Sequence, residues 1–579
     1  MGRIVGIDLG TTNSLCAVFE DGSPRLLPNA LGEVLTPSVV GVLEDGSVVV
    51  GKVAQELGVR APERVAASFK RWMGTDRELV LAGRGFSPQE LSSLVLRALK
   101  RDAETALGEE VTEAVITVPA YFNEHQRAAT RMAGELAGFR VRRILNEPTA
   151  AALAYGLLEG GGNRSLLVFD LGGGTFDVTV MEVFEGTFEI RATAGESQLG
   201  GEDFTALVVA WVLEQAGLHY ERIEVAEPLR LARLRLLAES AKRRLGVEPE
   251  IEIALPRADG TLDESCPRHR LLASELPRRA ERLLERLRLP LARALRDARL
   301  AASGIDEVLL AGGATRMPWV QELVREHFGR EPRCTLDPDL VVARGAAIQA
   351  ALIASDAAVE DLVLTDVCPF TLGVEVMKQF GSVQRAGYYL PVIHRNTTIP
   401  VAKEQFVATV EPNQRQVTVH VYQGESRRVE ENLLLGTLEV RGIPPGPSGQ
   451  SIAIRFSYDI NGLLEVEARI ERTGQKFSAL FTQNVKNLSK DELARAAAKL
   501  QRLKFFPRED ERNQHLLRFA ERVVGQVGTF QRTALDEAID AYETALHDTD
   551  RAHFEAARSH LLQVLSHLDH PFPGATRDS

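Results

Sequence analysis

Two stretches of this chain share one pattern of residue types suited to holding a polyphosphate. The first runs Ile7-Asp8-Leu9-Gly10-Thr11-Thr12-Asn13-Ser14 and continues as Leu15-Cys16-Ala17-Val18-Phe19. The second runs Phe169-Asp170-Leu171-Gly172-Gly173-Gly174-Thr175-Phe176-Asp177 and continues as Val178-Thr179-Val180. Each reads as a strand, an Asp-x-Gly turn with hydroxyl residues, and a second strand. Glycines let backbone amides approach anionic oxygens, and threonine hydroxyls add donors. An Asp at the end of each leading strand can hold a magnesium ion through the waters that the metal retains. Either segment alone could be a tight hairpin. Two of them facing across a cleft would grip a triphosphate from both sides, and they imply two similar half-domains.

A third segment, Val308-Leu309-Leu310-Ala311-Gly312-Gly313-Ala314-Thr315-Arg316, runs an apolar strand into a Gly-Gly turn ahead of a helix. Such a turn suits nucleotide binding or is a plain strand-to-helix connection. The chain has neither a Gly-x-x-x-x-Gly-Lys-Ser/Thr loop nor a Rossmann fingerprint.

The elements that position these turns differ along the chain. Residues 1–355 alternate short β-branched runs with helical patterns, which predicts an α/β architecture. Residues 367–483 read as all-β, with Val417, Val419 and Val421 alternating with Thr418 and His420. Asn461-Gly462 between two such runs predicts a two-residue hairpin. From residue 488 the pattern is helical, opened by a capping box of Ser489 and Glu492 and interrupted at Pro507. Helices are predicted over roughly 510–527, 530–547 and 550–568, with a turn at His547-Asp548-Thr549-Asp550.

The chain has 579 residues, a net charge of −12 and 44% apolar residues, enough for several domains with real cores. That charge argues against coating nucleic acid or anionic lipid. No apolar run reaches the ~18–20 residues that span a bilayer, so no membrane insertion is expected. The N-terminus passes directly into a strand-like run without a signal-peptide core. Cys16, Cys266, Cys334 and Cys368 are scattered. Together these predict a cytoplasmic protein without a disulfide scaffold or structural zinc.

These motifs resemble the DnaK family of seventy-kilodalton heat-shock chaperones. The likeness runs from Gly6 to about Leu568, through Val118-Pro119-Ala120-Tyr121-Phe122-Asn123, Asn146-Glu147-Pro148-Thr149-Ala150-Ala151 and Asn396-Thr397-Thr398-Ile399-Pro400. Within the family the chain is most similar to the short bacterial paralogue HscC, in the stretches Leu91 to Arg97, Ile454 to Gly462 and Leu503 to Arg508.

The resemblance implies a multidomain α/β + β + α fold. An actin-like two-lobed ATPase would occupy residues 1–357 and a linker 358–366. A β-sandwich gripping extended peptide would occupy 367–485, an α-helical lid 488–570 and a tail 571–579. It implies ATP or ADP as ligand with Mg2+ and K+. Asp8 and Asp170 would hold the magnesium shell and Asp177 the monovalent cation. Gly10, Thr11, Thr12, Asn13 and Gly172, Gly173, Gly174 and Thr175 would cradle phosphates. Lys70 would position the attacking water, and Glu147 would be the carboxylate beside the metal-bound waters. Glu239, Lys242, Arg243, Gly312, Gly313, Arg316 and Asp339 would contact the adenosine, with Gly246 where the family usually has Ser.

The resemblance further implies coupling through Pro119, Arg127, Arg143, Leu362, Val363, Leu364 and Asp366. A peptide groove would be lined or arched by Phe370, Leu372, Val374, Met377, Val407, Val410, Val417 and Val419. The partners would be unfolded or specific clients and a J-domain protein, with the chaperone itself a monomer. Several positions depart from the pattern. Thr365 replaces an apolar residue and Val407 a Phe, and Lys378 to Leu390 is longer than in typical members. Gly246 to His269 also differs, so the resemblance does not carry over a GrpE-type exchange factor. Two other readings compete with the chaperone: an actin-like sugar kinase relative, disfavoured by the β and helical regions, and a client-delivery binder with little ATP turnover.

Overall fold

The structure, a computed structural model, describes residues 3–158, 163–184, 187–356, 359, 363–380, 383–459, 462, 464–481, 516–517, 519–520, 523–524, 529–546 and 551–568. Leu362, Asn461, the Ser489/Glu492 capping box, Leu503 to Arg508, the turn at 547–550 and the tail 571–579 lie outside those residues. The chain divides into two units, Met1–Phe370 and Thr371–Ser579.

The first unit is built on two sheets of one plan. In the first sheet the order is Arg140–Asn146, Glu113–Val118, Ile4–Leu9, Asn13–Glu20 and Ser23–Leu27. In the second it is Glu307–Ala311, Arg164–Leu171, Phe176–Phe184, Thr187–Glu196 and Val363–Leu364. Ile4–Leu9 has a parallel neighbour, Glu113–Val118, on one side and its antiparallel hairpin partner on the other. Arg164–Leu171 repeats this, parallel to Glu307–Ala311 and antiparallel to Phe176–Phe184. The Asp-x-Gly turns therefore leave equivalent strands of equivalent sheets.

The leading strands are apolar on both faces, as strands covered from both sides must be. Val5 and Ile7, and Leu167, Val168 and Phe169, are fully buried. Helix Val341–Ala354 covers the first sheet through small residues, with Ala343, Ala346 and Ala347 buried. A Cβ on Gly6 would lie 2.2 Å from the Ala347 nitrogen, so only glycine lets strand and helix approach this closely.

The second unit contains two four-stranded sheets. One is ordered Val383–Ile393, Leu372–Phe380, Gln416–Gln423, Leu433–Arg441; the other is ordered Val401–Ala408, Ser451–Tyr458, Leu464–Ile470, Lys476–Phe481. The alternation read from sequence holds in Gln416–Gln423, where Val419 and Val421 are buried and Thr418 is exposed. Tyr458 stands opposite Leu464 in the ladder, and Ile460, Asn461 and Leu463, on which the predicted two-residue hairpin depends, lie outside the described residues. Gly462 has φ 76° and its amide donates to the Asp459 carbonyl. Helices Thr529–Leu546 and Arg551–His567 share a core of Leu535, Ala538, Tyr542, Phe554 and Leu561, close to the predicted spans. Among the described residues no helix is long and apolar enough to cross a membrane.

Candidate functional site

A cavity of about 960 Å³ in the first unit is lined by both Asp-x-Gly turns. Every residue expected to handle nucleotide lines it except Gly174, which follows Gly173 in the turn, and Asp177, two positions beyond Thr175. The two turns face each other at close range. A Cβ on Gly173 would lie 1.8 Å from Thr12 Oγ1, and one on Gly174 would lie 2.6 Å from Thr11 Cγ2. A side chain at either position would block the apposition, which is why Gly173 and Gly174 are glycines, whereas a Cβ on Gly172 would meet nothing closer than 3.8 Å.

Beside the turns lies a buried charged cluster. Glu147 opens helix Glu147–Leu158 directly after strand Arg140–Asn146, and Lys70 sits in the short helical turn Phe69–Trp72. Lys70 Nζ donates to Glu147 Oε1 at 2.7 Å, with both side chains almost wholly buried. Thr117 Oγ1 donates to Asp8 Oδ1 at 3.1 Å, and the Tyr121 amide donates to Asp177 Oδ1 at 3.0 Å. Asp170 Oδ2 is buried with no hydrogen-bond partner among the described residues.

Burial first, and then the Glu147 charge, push Asp8 up to about 7. The same two causes push Asp177 up to about 7 and Asp170 well above the usual carboxylate range. Four acids around one ammonium leave an excess of buried negative charge that a cation would relieve. Among the described residues no three His, Cys, Asp or Glu side chains are placed to ligate a metal directly. Magnesium, which keeps several of its waters, fits such a set better than a metal needing an all-protein cage.

The sequence reading missed a second set of residues across the cavity. Ser68 Oγ donates to Glu202 Oε1 at 2.6 Å, and Thr12 Oγ1 donates to the same oxygen at 3.4 Å. Arg71 pairs with Asp203 at 2.5 Å. Burial raises Glu202 above its usual range, while the Ser68 bond opposes that. The available signal was Gly200-Gly201-Glu202-Asp203, glycines followed by an acidic pair at the start of helix Gly201–Gln215.

On the side expected to meet the adenosine, helix Pro228–Arg244 brings Glu239, Lys242 and Arg243 to one face. Glu239 pairs with Lys242 at 2.6 Å and with Arg243 at 2.7 Å. Burial pushes Glu239 up, but Lys242, Thr205 and Arg243 outweigh it and hold the carboxyl at about 2. Burial pushes Lys242 down, so the pair stabilises less than the Glu239 shift alone implies. Lys242 Nζ also donates to the Gly201 carbonyl at 2.8 Å and to Thr205 Oγ1 at 2.9 Å. It thus braces the helix that carries Glu202. Arg316 is held by Asp339 at 3.0 Å and by Asp337.

Of the coupling residues expected from the resemblance, all but Leu362 lie among the described residues, and hydrogen bonds link several of them. Arg127 donates to Asn146 Oδ1 at 2.6 Å and to the Phe122 carbonyl, and the Phe122 amide in turn donates to the Pro119 carbonyl. Asn146 donates to Asp366, and Arg143 donates to Gln349 at 2.9 Å. Burial raises Asp366, opposed by the Arg143 and Arg127 charges. Val363–Leu364 pair in parallel with Thr187 and Phe188, and the Thr365 amide donates to the Phe188 carbonyl at 2.9 Å. Backbone bonds thus reach the position where Thr replaces an apolar residue.

The residues expected at the peptide groove do not share one environment. Leu372, Val374 and Val419 are buried, Val407, Val410 and Val417 are half-buried, and Met377 is 42% exposed. Phe370 belongs to the first unit, where its ring packs against Tyr121 at 4.5 Å between centroids.

Comparison with known proteins places the chain among chaperones. The family described as Hsp70 protein matches residues 4–82 and 75–570. Chaperone protein DnaK 1 of Synechococcus sp. is 45% identical over 524 residues, covering 86% of this chain and 68% of that protein. Chaperone protein dnaK3 of Thermosynechococcus vestitus is 45% identical, covering 85% of this chain and 75% of its own. Chaperone protein DnaK of Thermotoga petrophila is 44% identical over 500 residues, covering 85% of this chain and 82% of its own.

Proposed function

Because the chain belongs to the Hsp70 family, and is an ATP-dependent chaperone, we propose that the apposed Asp-x-Gly turns hold the triphosphate whose hydrolysis governs capture and release of polypeptide. The observation that carries this reading is the pair of facing turns bordered by the buried Lys70–Glu147 pair. Backbone amides and the Thr11, Thr12 and Thr175 hydroxyls donate to phosphate oxygens. Lys70 Nζ, fixed by Glu147, orients water for in-line attack and offsets developing charge. Asp8 and Asp170 would hold a magnesium ion through its retained waters, and Asp177 would be a ligand of a potassium ion. Magnesium supplies charge neutralisation on the phosphates. Arg316 stacks on the base, while Glu239, Lys242 and Arg243 border the ribose.

The coupling group connects this chemistry to the linker. Asp366 and the Val363–Leu364 strand pairing form one end, and Asn146, adjacent to Glu147, forms the other. A J-domain protein acts through Arg143 and Asp366, and client peptide occupies a groove bordered by Val374, Met377 and Val417. We read the chain as an HscC-like paralogue on the stretches Leu91 to Arg97 and Ile454 to Gly462. Its four cysteines form no disulfide, which suits a reducing cytoplasm.

The test is a pair of measurements on the full chain. Calorimetric titration with ATP should release heat, and ATP should accelerate dissociation of a labelled peptide. Heat without acceleration would keep the nucleotide site and remove the coupling; no heat would remove the site itself.

A further inference from the structure

The long segment between Lys378 and Leu390 forms a hairpin in which Leu372–Phe380 pairs with Val383–Ile393. Lys378 lies opposite Arg385, and Phe380 lies opposite Val383. This arm carries exposed apolar groups, with Phe380 43% and Val383 54% accessible. It also carries stacked cations. The Phe380 and Tyr388 rings lie 5.5 Å apart. Lys378, Arg427 and Arg428 stand over Tyr388 at 5.5, 5.5 and 4.8 Å, and Arg385 stands over Phe380 at 5.7 Å. Arg428 pairs with Glu430 and also donates to the Ala386 carbonyl, fixing its loop to the arm. Among the described residues Lys378, Arg385 and Arg427 have no carboxylate partner.

We propose that this aromatic and cationic arm is a second subsite for client polypeptide, selecting segments that carry Asp or Glu a few residues from the apolar stretch held in the groove. The proposal rests on the groove reading above and names its substrate class. Three features lead to it. A cation stacked on a ring keeps its N–H edge directed outward, where a carboxylate can accept from it. The arm continues the strand that carries Val374 and Met377, so it lies about 20 Å or less along an extended chain at ~3.3 Å per residue. The protein as a whole carries −12, so a long polyanion such as RNA or an anionic membrane is repelled at range, whereas a short acidic flank brought in by the groove meets only the local positive field.

The test uses the full chain with ADP and fluorescein-labelled peptides of one apolar centre and acidic, neutral or basic flanks. The acidic-flanked peptide should bind about fivefold to tenfold tighter than the neutral one at low salt, with the gap closing as salt rises. Lys378→Ala with Arg385→Ala should remove the preference while leaving neutral-peptide affinity intact, and Lys378→Arg with Arg385→Lys should keep it. Equal affinity for all three flanks would overturn the subsite and leave the groove standing. A preference that survives the double alanine variant would overturn it as well, as would binding of single-stranded RNA in place of acidic peptide. Absence of any peptide binding would remove groove and subsite together.

Discussion

Asn146 donates from one amide nitrogen to both carboxylate oxygens of Asp366, each at 3.0 Å, although the two residues are 220 positions apart. Both side chains are buried. The next residue, Glu147, holds the Lys70 ammonium. One peptide bond therefore separates the residue that anchors Asp366 from the carboxylate that holds Lys70. Under the proposed function this shared strand end is where the linker and the nucleotide site would be coupled.

Asp366→Ala should break that connection without touching the nucleotide pocket. The expected result is near-normal basal phosphate release, with ATP-triggered peptide dissociation slowed by about tenfold, a typical coupling magnitude. Stopped-flow dissociation of a labelled peptide checks it. Unchanged dissociation would show that the linker is read elsewhere.

How much of this was legible in sequence depended on distance along the chain. The two phosphate turns were visible because glycine, threonine and aspartate in fixed order have few other uses. The equivalence of the two sheets followed from the repeated motif. The pairing of Lys70 with Glu147 was not visible as a contact, because it joins residues 77 positions apart. Ser68 was invisible for a different reason: a lone serine before Phe69 carries no pattern, and only the fold brings Glu202 to it. The groove expected from the resemblance was least legible of all. Leu372, Val374 and Val419 repeat every second residue just as sandwich core does, and the structure buries all three. The cation and ring stacking on the arm depends on Arg427 and Arg428 arriving from another loop, which local pattern does not reveal.

Lys70→Ala removes the ammonium from a cluster that includes Asp8, Glu147 and Asp170. Turnover should fall by a factor of about 100 or more, as for other charge-stabilising groups. Nucleotide binding should persist, because the turns and the adenosine side remain. The nucleotide-free protein should also lose several kcal/mol, roughly the cost of breaking a buried ion pair. Single-turnover hydrolysis, calorimetric binding and thermal unfolding separate the three effects. Loss of binding along with turnover would make Lys70 a ground-state contact instead.

Ser68 and Glu202 join opposite sides of the cavity through a 2.6 Å bond, and Ser68 adopts a left-handed conformation, φ 57°, while making it. Ser68→Ala should loosen this closure by about 1 kcal/mol, the usual net worth of one hydrogen bond. Release of a fluorescent ADP analogue should accelerate by about fivefold. Glu202 keeps its Thr12 bond, so phosphate contacts persist and single-turnover hydrolysis should change little. An unchanged release rate would mean that closure is held by the Arg71–Asp203 pair and the Thr12–Glu202 bond without Ser68.

Glu239 gives a dependence on pH whose sign can be worked out. Its carboxyl is held at about 2 in the folded chain against the usual 4.5. A depressed acid stabilises the fold above its unfolded value, and that stabilisation is lost as pH falls toward the folded one. The window is therefore from about 4.5 down to about 2. The full shift corresponds to at most about 3 kcal/mol, reduced by the cost of burying Lys242. Glu239→Gln should lower the unfolding temperature of the first unit at pH 7, and the difference from the parent should shrink steadily below pH 4.5. Thermal melts of both proteins across that range decide it. A difference independent of pH would assign the loss to packing of the substituted amide against Thr205 rather than to the charge.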